Sequence, residues 1–101
     1  MPRWLPRVVS RIRELAADRR VAITDKARRE LELLELGLDR EDLCEVVAGL
    51  SSADFYERIA SSVMGEWLYV FKPDVAGTTL YVKLAVRGNC VVISFHEDQD
   101  E

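Results

Sequence analysis

The side chains best suited to chemistry lie in the last third of the chain, in two segments that alternate between polar and apolar residues. Residues 80–87 and 90–96 each show this period of two, which predicts two β-strands with one apolar and one more polar face. Residues 88–89, a Gly-Asn pair, tolerate positive φ and favour a two-residue loop between the strands. The sequence therefore predicts an antiparallel hairpin whose polar face carries reactive groups.

A two-residue loop fixes which residues lie opposite each other in this hairpin. The predicted cross-strand pairs are Arg87 with Cys90, Lys83 with Ser94, and Tyr81 with His96. The Cβ atoms of directly opposed residues lie about 5 Å apart. A guanidinium, an ammonium, a hydroxyl, a phenol and the only imidazole of the chain would then share one surface, which could bind a phosphate and move a proton.

Cleavage of RNA without a metal ion needs groups of this kind. One group takes the proton of the 2′-OH, one protonates the leaving 5′ oxygen, and cations stabilise the charge on phosphorus. His96 suits the proton transfers, since histidine is the side chain that ordinarily titrates nearest neutral pH. Tyr81 could orient the 2′-OH or a phosphate oxygen. Lys83 and Arg87 could bind the phosphate, and Lys72 could join them from the end of the preceding strand.

Other interpretations of the same residues remain open at this point. One face of an antiparallel sheet is normally in contact with water, so the polar face also fits a non-catalytic module that binds a protein or RNA. A metal site is not predicted, because the face offers one histidine and no carboxylate pair, and no cofactor is implied. Cys44 and Cys90 lack the spacing of metal ligands and are interpreted as reduced structural residues.

Length and charge limit the class of protein. A chain of 101 residues is expected to form one domain, 1–101, with an acidic tail at 97–101. Basic residues are in excess in residues 1–30 and acidic residues in 31–66, a pattern that allows local anion binding but lacks the net basic footprint of a DNA-coating protein. Without an apolar run of about 20 residues or the hydrophobic segment of a signal peptide, the chain is expected to be cytoplasmic.

The elements that must position the hairpin are predicted from the apolar spacing and the capping residues. We expect a helix from about Pro6 to Asp18, a second from Thr24 or Asp25 towards Gly37, a third from Asp39 to Gly49, a short fourth anchored by Phe55 and Ile59, and a strand over Trp67 to Phe71. Helices followed by strands indicate an α+β fold, with N-terminal helices packed on a small C-terminal antiparallel sheet. The Tyr81 and His96 face would then be the open one.

Several motifs resemble the MqsR family of type II toxin–antitoxin toxins. They are ELGLD at 35–39, GLSSADFY at 49–56, YVKL at 81–84 and VISFH at 92–96, and in order and spacing the resemblance covers roughly residues 33–98. The resemblance implies a RelE-like ribonuclease fold. It also implies sequence-selective cleavage of messenger RNA at GC-containing triplets without a ribosome.

The family's proposed catalytic positions map unevenly onto this chain. The tyrosine of the penultimate strand matches Tyr81, and the lysine after the SF dipeptide falls at His96. The lysine after the DFY motif falls at Glu57, and the glutamine after the strand tryptophan falls at Leu68. One position of the four is therefore identical, and one is replaced by a side chain that can also donate a proton.

Residues and resemblance together predict a toxin that is a metal-independent endoribonuclease of mRNA. The expected catalytic residues are His96, Tyr81, Lys83 and Arg87, and the expected substrate-binding residues are Lys72, Arg58 and Ser94.

The expected partners are mRNA and a cognate antitoxin, which in this family often carries a helix-turn-helix DNA-binding domain. The chain would then contact DNA only through the antitoxin, and no membrane partner is expected. The antitoxin could cover the Tyr81 and His96 face directly. We favour docking elsewhere instead, either along the sheet edge or on a basic N-terminal surface, because arginines suit an acidic partner. The arginines of that surface are Arg3, Arg7, Arg11 and Arg13.

Overall fold

The computed structural model describes residues 2–61 and 65–99, and there it has an α+β fold. Its helices are α1 (Leu5–Ala17), α2 (Asp25–Leu33) and α3 (Arg40–Ala48). Its strands are β1 (Val21–Ile23), β2 (Phe55–Ala60), β3 (Trp67–Phe71), β4 (Asp74–Val75), β5 (Thr78–Val86) and β6 (Cys90–Glu97). Of the expected acidic tail, Glu97 ends β6, and residues 100–101 lie outside the described residues.

The strands form one mixed sheet in the order β1-β6-β5-β3-β2, with β4 paired to β5. β1 runs parallel to β6, whereas the other neighbouring strands are antiparallel. The prediction of a purely antiparallel C-terminal sheet was therefore wrong at this edge. The chain returns after α1 and places the apolar segment Val21–Ile23 beside the first three residues of β6, which leaves residues 93–97 of that edge without a strand neighbour.

One hydrophobic cluster joins the helices to one face of the sheet. α1 contributes apolar side chains at helical spacing, among them Val9, Ile12 and Leu15, which are nearly or fully buried. The sheet contributes Val82 and Phe95, and both have no exposed surface. Within the two described ranges, no helix has the length and apolar character needed to cross a bilayer.

Local capping explains where α2 and α3 begin. The Thr24 side chain accepts a hydrogen bond from the Ala27 N–H at 3.1 Å and caps α2. Asp39 caps α3 in a reciprocal box with Asp42. The Asp39 carboxylate accepts a hydrogen bond from the Asp42 N–H, and this hydrogen bond lowers the pKa of Asp39 below its ordinary value. α2 ends at Leu33 and not at Gly37, because residues 34–36 leave the helical path.

The predicted fourth helix is wrong. The Ser51 and Asp54 capping box forms, but it starts only one 3₁₀ turn, Ser52–Asp54. The chain then continues as β2, which pairs with β3 and interrupts the ladder with a bulge after Phe55. Pairing with β3 satisfies backbone groups that a helix here would have left on an open sheet edge, so tertiary context overrides the local spacing.

The hairpin register differs from prediction at the loop but agrees at the reactive residues. Val86 pairs with Cys90, so the loop has three residues rather than two, and the predicted pairing of Arg87 with Cys90 is wrong. A bulge at Ile93 then shifts the register back by one residue. Lys83 therefore pairs with Ser94, and Tyr81 pairs with His96, as predicted.

Two hydrogen bonds from Thr24 contact the bulge at the point where β1 ends and α2 begins. The Thr24 N–H donates to the Val92 carbonyl at 3.1 Å, and its hydroxyl donates to the Ile93 carbonyl at 3.3 Å. The shift places Cys90 in the core instead of on the polar face. Burial there raises the pKa of the Cys90 thiol to about 12.

Candidate active site

The candidate site lies on the face of the sheet opposite the hydrophobic cluster, at the end of β6. Tyr81 and Lys83 on β5 alternate with core residues, and His96 on β6 follows the buried Phe95. The rings of Tyr81 and His96 stack, with centroids 4.9 Å apart and planes inclined by 8°. Tyr81, Lys83 and His96 are all half-buried, so the face is less open than the sequence predicted.

The two ring nitrogens of His96 have different neighbours. Nδ1 lies 2.8 Å from the Glu97 carbonyl oxygen. A carbonyl can only accept a hydrogen bond, so Nδ1 is the donor in this contact. Nε2 faces the Glu30 carboxylate, with the nearest oxygen at 3.8 Å. In the neutral ring, Nε2 is then the nitrogen able to accept a proton.

Helix α2 forms the wall beside His96. One Glu30 oxygen accepts the Phe95 N–H at 3.2 Å, which satisfies a β6 backbone donor where β6 has no strand neighbour. The other oxygen lies 3.1 Å from Lys26 Nζ. The same ammonium donates to the Ser94 hydroxyl at 2.9 Å.

Sequence reasoning missed Lys26 and Glu30. Their i, i+4 spacing identifies neighbours on one helix face, but it does not say what that face contacts. The missing information was the parallel pairing of β1 with β6, which brings the start of α2 beside Ser94. The apolar segment before α2 was the available signal.

Ser94 and Lys72, two of the expected substrate-binding residues, are already engaged within the protein. Ser94 is only 2% exposed and accepts the Lys26 hydrogen bond. Lys72 pairs with Asp98 at 3.4 Å, where both side chains are largely buried, and its ammonium lies 3.5 Å from the Tyr56 ring centroid. Lys83 differs, because no hydrogen bond or ion pair joins its ammonium to another residue of the described ranges.

The two expected arginines lie away from this face. Arg58 lies between Trp4 and Trp67 on the helix-covered side of the sheet, with its guanidinium carbon 4.3 Å and 3.8 Å from their ring centroids. Arg87 is in the hairpin loop and makes a bidentate pair with Glu66, at 3.1 Å and 2.5 Å. Neither arginine therefore lies beside Tyr81 and His96. Arg87 belongs to the three-residue hairpin loop, and Arg58 points to the opposite face of the sheet.

The sheet register brings the four family positions to one face. Glu57 pairs with Val70, which in turn pairs with Lys83, and Leu68 pairs with Ala85. Since paired residues share a face, Glu57 and Leu68 lie on the same side as the Tyr81 and His96 pair. A carboxylate and an alkyl group thus occupy two positions of this surface.

An open cavity of about 460 Å³ adjoins the site. It lies between the end of α2 and the end of β6, and His96 forms part of its wall; the other lining residues are Glu30, Leu33, Leu34, Glu35, Glu97 and Gln99. Among residues 2–61 and 65–99, no group of three or more His, Cys, Asp or Glu side chains could hold a metal ion. The arrangement offers the His96 imidazole, the phenol stacked on it, and the Lys83 ammonium on the same face of the sheet.

Comparison with known proteins agrees with the motifs. The sequence is 36% identical over 64 residues to the mRNA interferase toxin MqsR of Escherichia coli strain K12. That match covers 62% of this chain and 65% of the relative's length. The family described as "Motility quorum-sensing regulator, toxin of MqsA" matches residues 7–97, from the first turn of α1 to the end of β6. The chain therefore belongs to the MqsR toxin family.

Proposed function

We propose that this chain is a single-domain toxin of a type II toxin–antitoxin system and acts as an endoribonuclease on mRNA. The observation that carries the proposal is the stacked Tyr81 and His96 pair, in which Nδ1 is held by a carbonyl and Nε2 can accept a proton. Membership of the family and the similarity to the Escherichia coli mRNA interferase toxin support the same activity. We further propose a RelE-like arrangement of helices and sheet.

The proposed reaction begins with proton transfer from the RNA 2′-OH to His96 Nε2. The 2′ oxygen attacks phosphorus, a new O–P bond forms, and the bond from phosphorus to the 5′ oxygen breaks. The leaving 5′ oxygen takes a proton from water, and His96 later returns its proton to solvent. The products are a 2′,3′-cyclic phosphate and a 5′-OH, and no metal ion takes part in these steps.

Tyr81 and Lys83 support this chemistry from β5. The flat contact of the phenol ring holds the imidazole in one orientation, and an electron-rich ring face favours a cation next to it. The Lys83 ammonium lies on the same face and stabilises negative charge on the phosphorane. Arg87 has no part in the proposed site because Glu66 holds it in the loop.

The proposed substrate is mRNA, cleaved at short GC-containing sequences without a ribosome. The proposed partner is a cognate antitoxin with a helix-turn-helix domain, through which alone the complex meets DNA. Glu57 and Leu68 replace a lysine and a glutamine of the family pattern, so we assign the acid–base work to His96 rather than to a lysine.

The experiment that tests the function is cleavage of a defined RNA by the purified protein, followed by analysis of the product ends. We expect 2′,3′-cyclic phosphate and 5′-OH ends, produced at the same rate with and without EDTA. Products with 5′-phosphate ends, or activity lost in EDTA and restored by a divalent cation, would contradict the mechanism. RNA binding without any cleavage would support the non-catalytic binding module instead.

A further inference from the structure

We propose that Glu30 of α2 is a positioning residue for His96, whose negative charge stabilises the imidazolium formed during cleavage. The inference rests on the proposed role of His96. It adds a residue from outside the family motifs and assigns a catalytic contribution to α2.

The geometry assigns different tasks to the two carboxylate oxygens of Glu30. Oε1 accepts the Phe95 N–H, and this contact fixes the carboxylate against β6. Oε2 lies 3.8 Å from His96 Nε2, and only 20% of the Glu30 side chain is exposed. The carboxylate is therefore held close to the nitrogen that gains the proton.

A separation of 3.8 Å is longer than a hydrogen bond, and this matters for the mechanism. An RNA hydroxyl can reach Nε2 without first displacing a hydrogen-bonded carboxylate. Once Nε2 is protonated, the ring has a carbonyl acceptor at Nδ1 and a negative charge beside Nε2. Glu30 therefore lies where its negative charge can act on the imidazolium that forms during cleavage.

The other groups around His96 define how large this effect can be. Lys26 pairs with the same Glu30 oxygen at 3.1 Å, so it offsets part of the charge that His96 experiences. Tyr81 covers one face of the ring. The His96 side chain is 34% exposed, so water screens the interaction further.

Glu30→Gln separates the charge from the backbone contact, because the amide oxygen can still accept the Phe95 N–H. Glu32→Gln is the matched control, since it makes the same chemical change at an exposed position of the same helix. We expect Glu30→Gln to lower kcat about 5- to 10-fold, the size of one partly screened ion pair. KM for RNA should stay the same or fall, because the substrate is a polyanion, and Glu32→Gln should behave as wild type.

Glu30→Ala tests whether the effect is merely structural. This variant loses the acceptor for the Phe95 N–H as well as the charge. We therefore expect its Tm to be lower than that of Glu30→Gln and its kcat to be close to that of Glu30→Gln. Wild-type kcat in folded Glu30→Gln would overturn the inference. An equal loss of kcat in Glu32→Gln, or a rise in KM that accounts for the whole loss, would overturn it as well.

A spectroscopic measurement tests the contact independently of cleavage. The chain has one histidine, so ¹⁵N-histidine labelling yields a single pair of ring nitrogen resonances. We expect these resonances to shift in Glu30→Gln and not in Glu32→Gln, and unchanged resonances in Glu30→Gln would contradict the contact. Cleavage at the wild-type rate by His96→Ala would contradict the proposed role of His96 itself. The Glu30 variants test only the contribution of the carboxylate, so the two failures can be told apart.

Discussion

Phe95→Ala is expected to destabilise the protein far more than His96→Ala, although the two residues are neighbours on β6. Phe95 faces the hydrophobic cluster and has no exposed surface. His96 lies on the opposite face, with its side chain 34% exposed and stacked on Tyr81. A one-residue error in the strand register would exchange these two environments, so the pair of variants tests the placement of the site.

The expected costs follow from burial. Removal of a buried phenylalanine side chain costs about 3–5 kcal/mol, because it loses apolar burial and leaves a cavity. In a domain of this size, such a loss lowers Tm by roughly 15–25 °C. His96→Ala gives up mainly the stacked ring contact, worth about 0.5–1.5 kcal/mol, which lowers Tm by roughly 3–7 °C.

Thermal and urea unfolding followed by tryptophan fluorescence measures both variants. Trp4 reports on the folded core, since its ring packs edge-on against Phe55, with centroids 5.4 Å apart. Phe95→Leu, which keeps most of the buried volume, serves as the control and should fall between wild type and Phe95→Ala. The strand assignment would be refuted if His96→Ala cost 3 kcal/mol or more, or if Phe95→Ala cost about as little as His96→Ala.

Three further predictions follow from charge and burial. Because burial raises the pKa of the Cys90 thiol to about 12, iodoacetamide at pH 8 should modify the partly exposed Cys44 first and Cys90 only as the protein unfolds; equal labelling rates would contradict this. Hydrogen bonds from Arg87 lower the pKa of Glu66 below its ordinary 4.5, so the pair stabilises the fold above that pH and loses its effect as pH falls through the lowered pKa. The Tm difference between wild type and Glu66→Gln should therefore be present at pH 7 and shrink as pH falls below the ordinary pKa of 4.5 and through the lowered one, and a constant difference would argue against the pair. Charge reversal at Arg7 and Arg11, which are exposed on α1, should weaken antitoxin binding most at low salt and leave cleavage of a short RNA near the wild-type rate; lost cleavage with intact antitoxin binding would assign these arginines to the RNA path.

The sequence predicted the elements whose ends are marked by nearby residues, such as helix caps or the end of an apolar run. Asp39 and Gly49 mark the two ends of α3 because capping depends on nearby residues. β3 has the predicted bounds, Trp67–Phe71, because an unbroken apolar run ends there at a lysine and a proline. The site pairs were also predicted, but the loop was one residue longer than expected, and only the bulge at Ile93 restored the count.

Contacts between distant segments could not be predicted in the same way. β2 has a helix-like spacing of Phe55 and Ile59, and only its pairing with β3 decides in favour of a strand. Glu30 precedes His96 by 66 positions in the sequence, and no local pattern indicates that they meet. Their contact depends on β1 lying parallel to β6, a pairing that is decided by the whole fold.

The rate of RNA cleavage by folded His96→Ala, compared with wild type, tests the central claim most directly. General acid–base groups contribute typically about 10²–10⁴-fold to a rate. Because the stability cost is small, the variant should remain folded at the assay temperature. If His96 carries the proton transfer, the variant loses at least about 10²-fold in kcat and keeps a circular dichroism spectrum like that of wild type. Cleavage by folded His96→Ala at the wild-type rate would contradict this role.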